Sequence, residues 1–237
     1  MNIFKTVQQL FKKEKEVAEK PKNNTNEYDV VERIVNNKSC ETCPLSTRCD
    51  HNDKYSCLEK TEEMKERCKG EDGTKPVIVL LDDNDGILSL LEDDLYTLDE
   101  EGYINIGDFC IVKFSGVLAV FEYLPFLRKN FESIYGGIFD LTIGGVLRYE
   151  ERNVRLTGMD AIYANVLRGI EKNVVFTGNT LNPNIQSNTE VIKQYRSITG
   201  RNLQDDVIYK SSFSDEDRRK EIYEKMFKGT KYDKKIN

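Results

Sequence analysis

Long apolar runs are absent from this sequence of 237 residues. No stretch approaches the roughly 20 apolar residues that a membrane-spanning helix needs. The first residues also lack an apolar run followed by a small-residue cleavage site, which argues against secretion. The sequence therefore predicts a cytoplasmic protein, and in that compartment free or metal-bound thiols are commoner than disulfides.

An excess of positive charge is also absent. The formal net charge is -6 and the sequence pI is about 5.2. Because nucleic acids bind basic surfaces, we expect no nucleic-acid partner. The hydrophobic content of 38% and the charged content of 32% fit a globular domain with polar flanks. The length suits one ordinary domain and an appendage.

Histidine is nearly absent, and the only one lies inside a cysteine-dense segment, residues 39–70. A Cys-x2-Cys pair in this segment can place two thiolates on one metal. Zinc and an iron–sulfur cluster both remain open, as do disulfides and unbound thiols. Cys110 stands apart, in a predicted strand, and is expected in the core. The candidate metal ligands are Cys40, Cys43, Cys49, His51, Cys57 and Cys68.

The chain before the cysteines divides into two predicted parts. Residues 1–20 read as a basic amphipathic helix, since the apolar side chains within 2–18 follow a helical stripe. We expect this helix to dock on its own protein or on a partner. Membrane-surface attachment is the alternative, which the short apolar face does not favour. Residues 21–38, which begin with a polar, turn-prone run, are predicted to be a linker.

From Pro76 onward, apolar runs alternate with helical patterns, which predicts βα units and a parallel sheet. The expected fold class is α/β, a doubly wound five-stranded sheet over residues 76–227. The lysine-rich tail, 228–237, is expected to fray. The predicted strands are 77–82, 108–114, 134–140, 173–177 and 206–210. The predicted helices are 84–98, 116–129, 159–170, 184–197 and 214–227.

Polar residues stand where four of these predicted strands end: Asp82 with Asp83, then Asp140, Thr177 and Lys210. Ligands of open α/β sheets bind outside the carboxyl ends of the strands, so these side chains are expected to converge. Carboxylates with water and phosphate oxygens suit Mg²⁺. A carboxylate can also accept a phosphoryl group when a cation offsets the repulsion between the two anions.

Residues 76–227 resemble the receiver domain of two-component response regulators. The pieces that carry the resemblance are Val-Ile-Val-Leu-Leu-Asp82-Asp83-Asn, Ile-Phe-Asp140-Leu-Thr-Ile-Gly-Gly, Gly158-Met-Asp-Ala161, Val-Val-Phe-Thr177-Gly-Asn and Val-Ile-Tyr-Lys210. The resemblance implies a flavodoxin-like sheet of order 2-1-3-4-5.

The resemblance also implies roles for individual residues. Asp140 would accept phosphate from a phosphohistidine on a histidine kinase or phosphotransfer protein, and Thr177 and Lys210 would contact that phosphate. The implied Mg²⁺ ligands are Asp82, Asp83, Asp140 and the main-chain carbonyl of Thr142. The chain would then signal by contact with another protein, and it would not be an enzyme in the usual sense.

Three departures from the family pattern qualify this expectation. Ser211 follows Lys210 where the family usually has proline, and Val207 stands where it often has an aromatic residue, a place that Tyr209 or Phe213 could take. The segment 144–157 is roughly a dozen residues longer than a typical family loop and is predicted to form a charged hairpin. Two alternatives therefore stay open: a pseudo-receiver that binds without phosphorylation, and a metal- or redox-sensing regulator that uses the cysteines.

Overall fold

A computed structural model describes residues 25–37, 62, 64, 66–70, 73–149, 152–178, 186–210 and 214–235. The predicted helix at 2–18 lies outside these ranges, as do Phe213 and all the candidate metal ligands of the cysteine-dense segment except Cys68. Within the described ranges, none of the helices combines the length and the apolar character that crossing a membrane requires.

The centre of the fold is a parallel sheet of five strands. Its first strand reads Val-Ile-Val-Leu-Leu-Asp and is buried at every position, as expected of a parallel strand that is covered on both faces. The strands are β3 (Val77–Asp82), β4 (Cys110–Ser115), β5 (Ile134–Phe139), β8 (Lys172–Thr177) and β9 (Val207–Tyr209). They lie side by side in the order β4-β3-β5-β8-β9.

Helices cover both faces of this sheet, which confirms the predicted α/β class. The helices are α1 (Thr25–Asn36), α2 (Asp85–Glu100), α3 (Ala119–Asn130), α4 (Gly158–Leu167), α5 (Gln186–Thr199), α6 (Leu203–Asp206) and α7 (Asp215–Met226). The leucines of α2 pack with α7 on one face, and α3, α4 and α5 pack on the other. Ser214 caps α7 by accepting a hydrogen bond from the amide of Asp217.

The prediction of a linker over residues 21–38 is wrong for most of its length, because Thr25–Asn36 forms α1. Four aliphatic side chains of this helix are fully buried against the side of the sheet that carries α3 and α4. The sequence did not predict this helix, because its apolar stripe is short and directly follows a polar run. The buried residues are Val30, Val31, Ile34 and Val35.

The lysine-rich tail does not fray between residues 228 and 235. Asp233 is 0% exposed and accepts hydrogen bonds from the Tyr223 hydroxyl and from the amides of Gly229 and Lys235. The amide of Lys234 also donates to the carbonyl of Tyr103. These bonds fasten the tail to the end of α7 and to the segment after α2.

The long segment after Asp140 forms the predicted hairpin. Its strands are β6 (Gly144–Tyr149) and β7 (Arg152–Thr157), which pair antiparallel from Gly144 opposite Thr157 to Tyr149 opposite Arg152. Val154 and Leu156 on β7 are buried in the core shared with α1 and α3. The hairpin is therefore an integral layer of the domain.

Cys68 does not behave as the predicted metal ligand, because it forms a disulfide with Cys110. Cys110 begins β4 and is buried, as predicted for a core residue. Cys68 directly precedes β1 (Lys69–Gly70), which pairs antiparallel with β2 (Gly73–Thr74). The disulfide thus joins the end of the cysteine-dense segment to the strand at one edge of the sheet.

Candidate functional site

The polar residues at the strand ends meet at the carboxyl edge of the sheet. Asp82 ends β3, Asp140 directly follows β5, Thr177 ends β8 and Lys210 directly follows β9. These four strands are consecutive neighbours in the sheet, so their carboxyl ends form one short row. The sequence placed each residue at the correct end of its strand, although β9 is shorter than predicted because Asp206 belongs to α6.

One ammonium group joins two buried carboxylates at this edge. The Nζ atom of Lys210 lies 2.6 Å from Oδ2 of Asp82 and 2.7 Å from Oδ2 of Asp140. The side chains of Asp82 and Asp140 are only 1% and 3% exposed, and that of Lys210 is 19% exposed. The ammonium also lies 5.5 Å from the centre of the Phe176 ring, where cation–π attraction adds to the ion pairs.

The second carboxylate of the acidic pair reaches the same place. Oxygen atoms of Asp82, Asp83 and Asp140 all lie within 4.8 Å of one another. On a regular strand, adjacent residues point to opposite faces, but the chain turns directly after β3. The amide of Asn84 donates to Oδ1 of Asp82 at 2.9 Å, and the Asn84 side chain caps α2. Asp82 is therefore held inside, while Asp83 remains exposed.

Thr142 contacts Asp140 in a way that the sequence reading missed. Its amide donates to Oδ1 of Asp140 at 2.9 Å, and its hydroxyl lies 2.9 and 2.8 Å from the two carboxylate oxygens. Sequence reasoning assigned only the main-chain carbonyl of Thr142 to the site. An aspartate side chain often accepts a hydrogen bond from the amide two residues later in a turn, and that signal could have revealed the amide contact, though not the hydroxyl contact.

Gly158, the first residue of α4, is packed against the main chain of Asp140. A β-carbon on Gly158 would come within 1.9 Å of the Asp140 carbonyl oxygen, so no other residue fits without a shift of the backbone. The residue before it, Thr157, ends β7 and forms a capping box with Asp160. The hairpin and α4 therefore meet at the candidate phosphoacceptor.

Thr177 and Tyr209 are register partners on β8 and β9. Thr177 is buried, and its main-chain carbonyl accepts a hydrogen bond from the amide of Lys210 at 2.9 Å. Tyr209 is half-buried and packs against the core. Of the two aromatic residues that could replace the missing one at Val207, Tyr209 thus stands next to the threonine.

Burial and ion pairing act in opposite directions on the pKa values of Asp82 and Lys210. Burial raises the pKa of Asp82 above its ordinary value of 3.8, although hydrogen bonds from Lys210 and Asn84 oppose the rise. For Lys210, burial alone would lower the pKa, but hydrogen bonds to Asp140 and Asp82 outweigh it and raise the pKa above 10.5. The ammonium thus stays charged, while Asp82 carries its charge at a cost.

The donor set of the site fits a hard divalent cation. Three carboxylates face a single ammonium, so a surplus of negative charge remains. Oxygen ligands from one or two carboxylates, completed by water and phosphate oxygens, are those that Mg²⁺ prefers. Asp82, Asp83 and Asp140 supply these oxygens within a span of 4.8 Å.

Comparison with known proteins finds little. No family model matches the sequence, and no curated protein matches it. A solved structure that resembles the chain is the response regulator receiver domain protein (CheY-like) from Methanospirillum hungatei JF-1, at 16% sequence identity and a TM-score of 0.38. The match covers 65% of this chain and 94% of the other.

Proposed function

We propose that this protein is a receiver-like phosphoacceptor in a His-to-Asp phosphorelay, with Asp140 as the acceptor. The observation that carries the proposal is the Lys210 ammonium, which lies 2.6 Å from Asp82 and 2.7 Å from Asp140. Such a lysine balances part of the charge of the acceptor and is positioned beside the oxygen that would receive the phosphoryl group. The donor would be a phosphohistidine on a histidine kinase or a phosphotransfer protein.

The chemistry is a displacement at phosphorus by a carboxylate oxygen of Asp140. A new P–O bond forms as the bond from phosphorus to the donor nitrogen breaks, and the nitrogen keeps the electron pair and takes a proton from water. Lys210 and the Thr142 hydroxyl stabilise the charge on the phosphoryl oxygens, and Thr177 would donate a hydrogen bond to them. Mg²⁺, held by Asp82, Asp83, Asp140 and the carbonyl of Thr142, would supply positive charge that offsets the repulsion between the anions.

The output would be a change in surface contacts with a downstream protein. A phosphoryl group on Asp140 competes with Asp140 for the Thr142 hydroxyl and for Lys210, which now contact its carboxylate. Gly158, the first residue of α4, packs against the main chain of Asp140. The hairpin and α4 are therefore the elements that this reaction would disturb first.

The experiment is to incubate the protein with Mg²⁺ and acetyl phosphate and to measure the mass added to the intact chain. One phosphoryl group on the wild type, lost in Asp140→Asn, supports the proposal. Asp93→Asn is the matched control, because Asp93 is an exposed carboxylate on α2 and its removal should change nothing. No reaction of the folded wild type with either acetyl phosphate or beryllofluoride would overturn the proposal.

A pseudo-receiver is the second candidate, and one observation favours it. Lys210 already pairs with both buried carboxylates, so the site is partly balanced without a cation or a phosphoryl group. Such a protein would keep this fold as a binding module. Its signature is an unchanged melting temperature in Mg²⁺ with beryllofluoride, whereas the phosphoacceptor should melt at a higher temperature.

Metal binding by the cysteine-dense segment stays a separate prediction. Cys68 is engaged with Cys110, which leaves Cys40, Cys43, Cys49, Cys57 and His51 as candidates outside the described residues. Anaerobic purification discriminates between the metals. A brown protein that absorbs near about 400 nm indicates an iron–sulfur cluster, and stoichiometric zinc in a colourless protein removes the redox version.

A further inference from the structure

The inserted hairpin is fixed to Asp140 at both of its ends. Strand β6 begins at Gly144, four residues after Asp140, and β7 ends at Thr157, directly before Gly158. Gly158 packs against the Asp140 carbonyl, and the Thr142 amide donates to the Asp140 carboxylate. The hairpin therefore holds its side chains at a set distance from the candidate phosphoacceptor.

Arg155 lies on the outer face of this hairpin and points toward its Asp140 end. It stands between the buried residues Val154 and Leu156 and, by strand alternation, is on the exposed side. Its register partner is Val146, yet its Nε and Nη2 atoms lie 2.7 and 2.9 Å from the position of a β-carbon on Gly144. The guanidinium thus lies two residues back along β6, toward Asp140.

Arg155 makes no hydrogen bond or ion pair with any residue in the described part of the chain. Two other arginines are engaged: Arg218 binds Asp94 through two nitrogens, and Arg201 pairs with Asp206. A guanidinium presents a rigid set of donors that matches phosphate oxygens and carries its charge at any physiological pH. Arg155 therefore offers an unused anion-binding group.

The candidate phosphoryl site needs such a group. Three carboxylates against one ammonium repel an approaching phosphate dianion, and like charges at a pocket lower the rate at which an anion enters it. Gly144 is four residues after Asp140, so the two lie at most about 14 Å apart even in an extended chain, and the turn at Thr142 shortens this distance. The Debye length near physiological salt is about 8–10 Å, so the charge of Arg155, which lies beside Gly144, is only partly screened at the Asp140 carboxylate.

We propose that Arg155 binds the phosphate of the incoming donor at the rim of the Asp140 site and guides it to the carboxylate. The proposal rests on the proposed phosphoacceptor function. Arg155 recognises the phosphate in the encounter and contributes little once the phosphoryl group is on Asp140. Its removal should therefore raise the apparent KM for the donor and leave the maximal rate almost unchanged.

The test measures the rate of Asp140 phosphorylation against the concentration of acetyl phosphate. Arg155→Ala should raise the apparent KM by about two- to fivefold, the effect of one exposed charge contact, and Arg155→Lys should restore part of it. The matched control is Arg196→Ala. Arg196 is also exposed, and it stands near the C-terminal end of α5, toward the amino ends of the strands and away from Asp140. Added salt should raise the KM of the wild type more than that of Arg155→Ala.

A second measurement follows binding rather than reaction. The Nε–Hε resonance of Arg155 in the ¹⁵N spectrum should shift when the protein is titrated with inorganic phosphate, and that of Arg196 should not. A wild type that reacts normally, with Arg155→Ala indistinguishable from Arg196→Ala and no shift of the Arg155 resonance, overturns this inference and leaves the phosphoacceptor intact. A wild type that never takes up phosphate overturns both.

Discussion

Two buried carboxylates in this protein, Asp94 and Asp82, are each paired with a cation but have different surroundings. Arg218 binds Asp94 with Nε 2.5 Å from Oδ2 and Nη2 2.9 Å from Oδ1. Lys210 instead shares its ammonium between Asp82 and Asp140. Burial raises the pKa of Asp94 and of Asp82 alike, in each case against the hydrogen bonds from the cation.

The difference lies in how completely the charge is matched. Both oxygens of Asp94 are used by one guanidinium between α2 and α7, so nothing remains for a ligand. At the strand ends, one ammonium serves two carboxylates and the exposed Asp83 adds a third. We infer that the Asp94 pair supports the fold and that the Asp82 group supports a function, although both join buried aspartates to a cation.

The largest expected effect concerns the ion pair between Arg218 on α7 and Asp94 on α2. Arg218→Met leaves the Asp94 carboxylate buried without its partner, which should lower the free energy of unfolding by about 3–5 kcal/mol. Urea denaturation followed by circular dichroism measures the loss. Arg219→Met is the control, because Arg219 forms a longer, partly exposed ion pair with Glu101 at 3.4 Å and acts on Asp94 only through its charge; its loss should cost about 1 kcal/mol or less. Equal losses in the two variants would contradict the structural role of Arg218.

The second prediction concerns the lysine of the candidate site. Lys210→Met should lower the rate of Asp140 phosphorylation by about 100-fold or more, the usual effect of removing one positioned electrostatic contact. Its cost in stability should be smaller than that of Arg218→Met, because protonation of Asp82, whose pKa burial already raises, or a cation bound beside the exposed Asp83 can relieve the buried carboxylates. A normal rate with acetyl phosphate would remove Lys210 from the mechanism.

A third prediction tests the contact between α4 and Asp140. Gly158→Ala forces the backbone apart, since the new β-carbon would meet the Asp140 carbonyl at 1.9 Å, and overpacking of this kind costs about 1–3 kcal/mol. Gly178→Ala, also at the carboxyl edge, is the control, because its nearest neighbour would be Lys210 Cδ at 3.8 Å. Melting temperature and phosphorylation rate should both fall in the first variant and stay near wild type in the second.

The smallest expected effect is a pH dependence. Burial raises the folded-state pKa of Asp82 above its ordinary value of 3.8. At pH values between 3.8 and this raised pKa, the folded protein therefore binds more protons than the unfolded chain. The contribution of Asp82 to stability therefore improves as pH falls from neutral toward 3.8. Urea denaturation across this range should show the trend in the wild type and a weaker one in Asp82→Asn. Asp83→Asn, which changes an exposed carboxylate, should retain the wild-type trend.

Sequence patterns predicted the sheet and most of its site because both depend on local signals. Apolar runs of strand length, each ended by a polar residue, identify a parallel strand and its carboxyl end at once. The same reading missed α1, whose four buried aliphatic residues follow a polar segment. It also assigned Thr142 by its carbonyl alone, since the side-chain contact to Asp140 depends on how the chain turns after β5.

Other features were beyond the reach of local patterns. The Cys68–Cys110 disulfide joins residues 42 apart in sequence, and only the packing of the edge strand brings them together. The ordered tail depends on Asp233, which gathers donors from Tyr223, Gly229 and Lys235. A lysine-rich run carries no sign of such a buried carboxylate.

By itself, the sequence determined that Asp82, Asp140, Thr177 and Lys210 end the strands of one α/β sheet, because burial on both faces demands apolar strands with polar ends. Only the tertiary structure decided which of these groups touch. The strand order puts Lys210 between two buried carboxylates, and the inserted hairpin turns Arg155 toward Gly144, at the end of β6 that follows Asp140. Whether a carboxylate at a strand end is paired with a cation depends on its distance from side chains on neighbouring strands, and those distances are set only when the sheet forms.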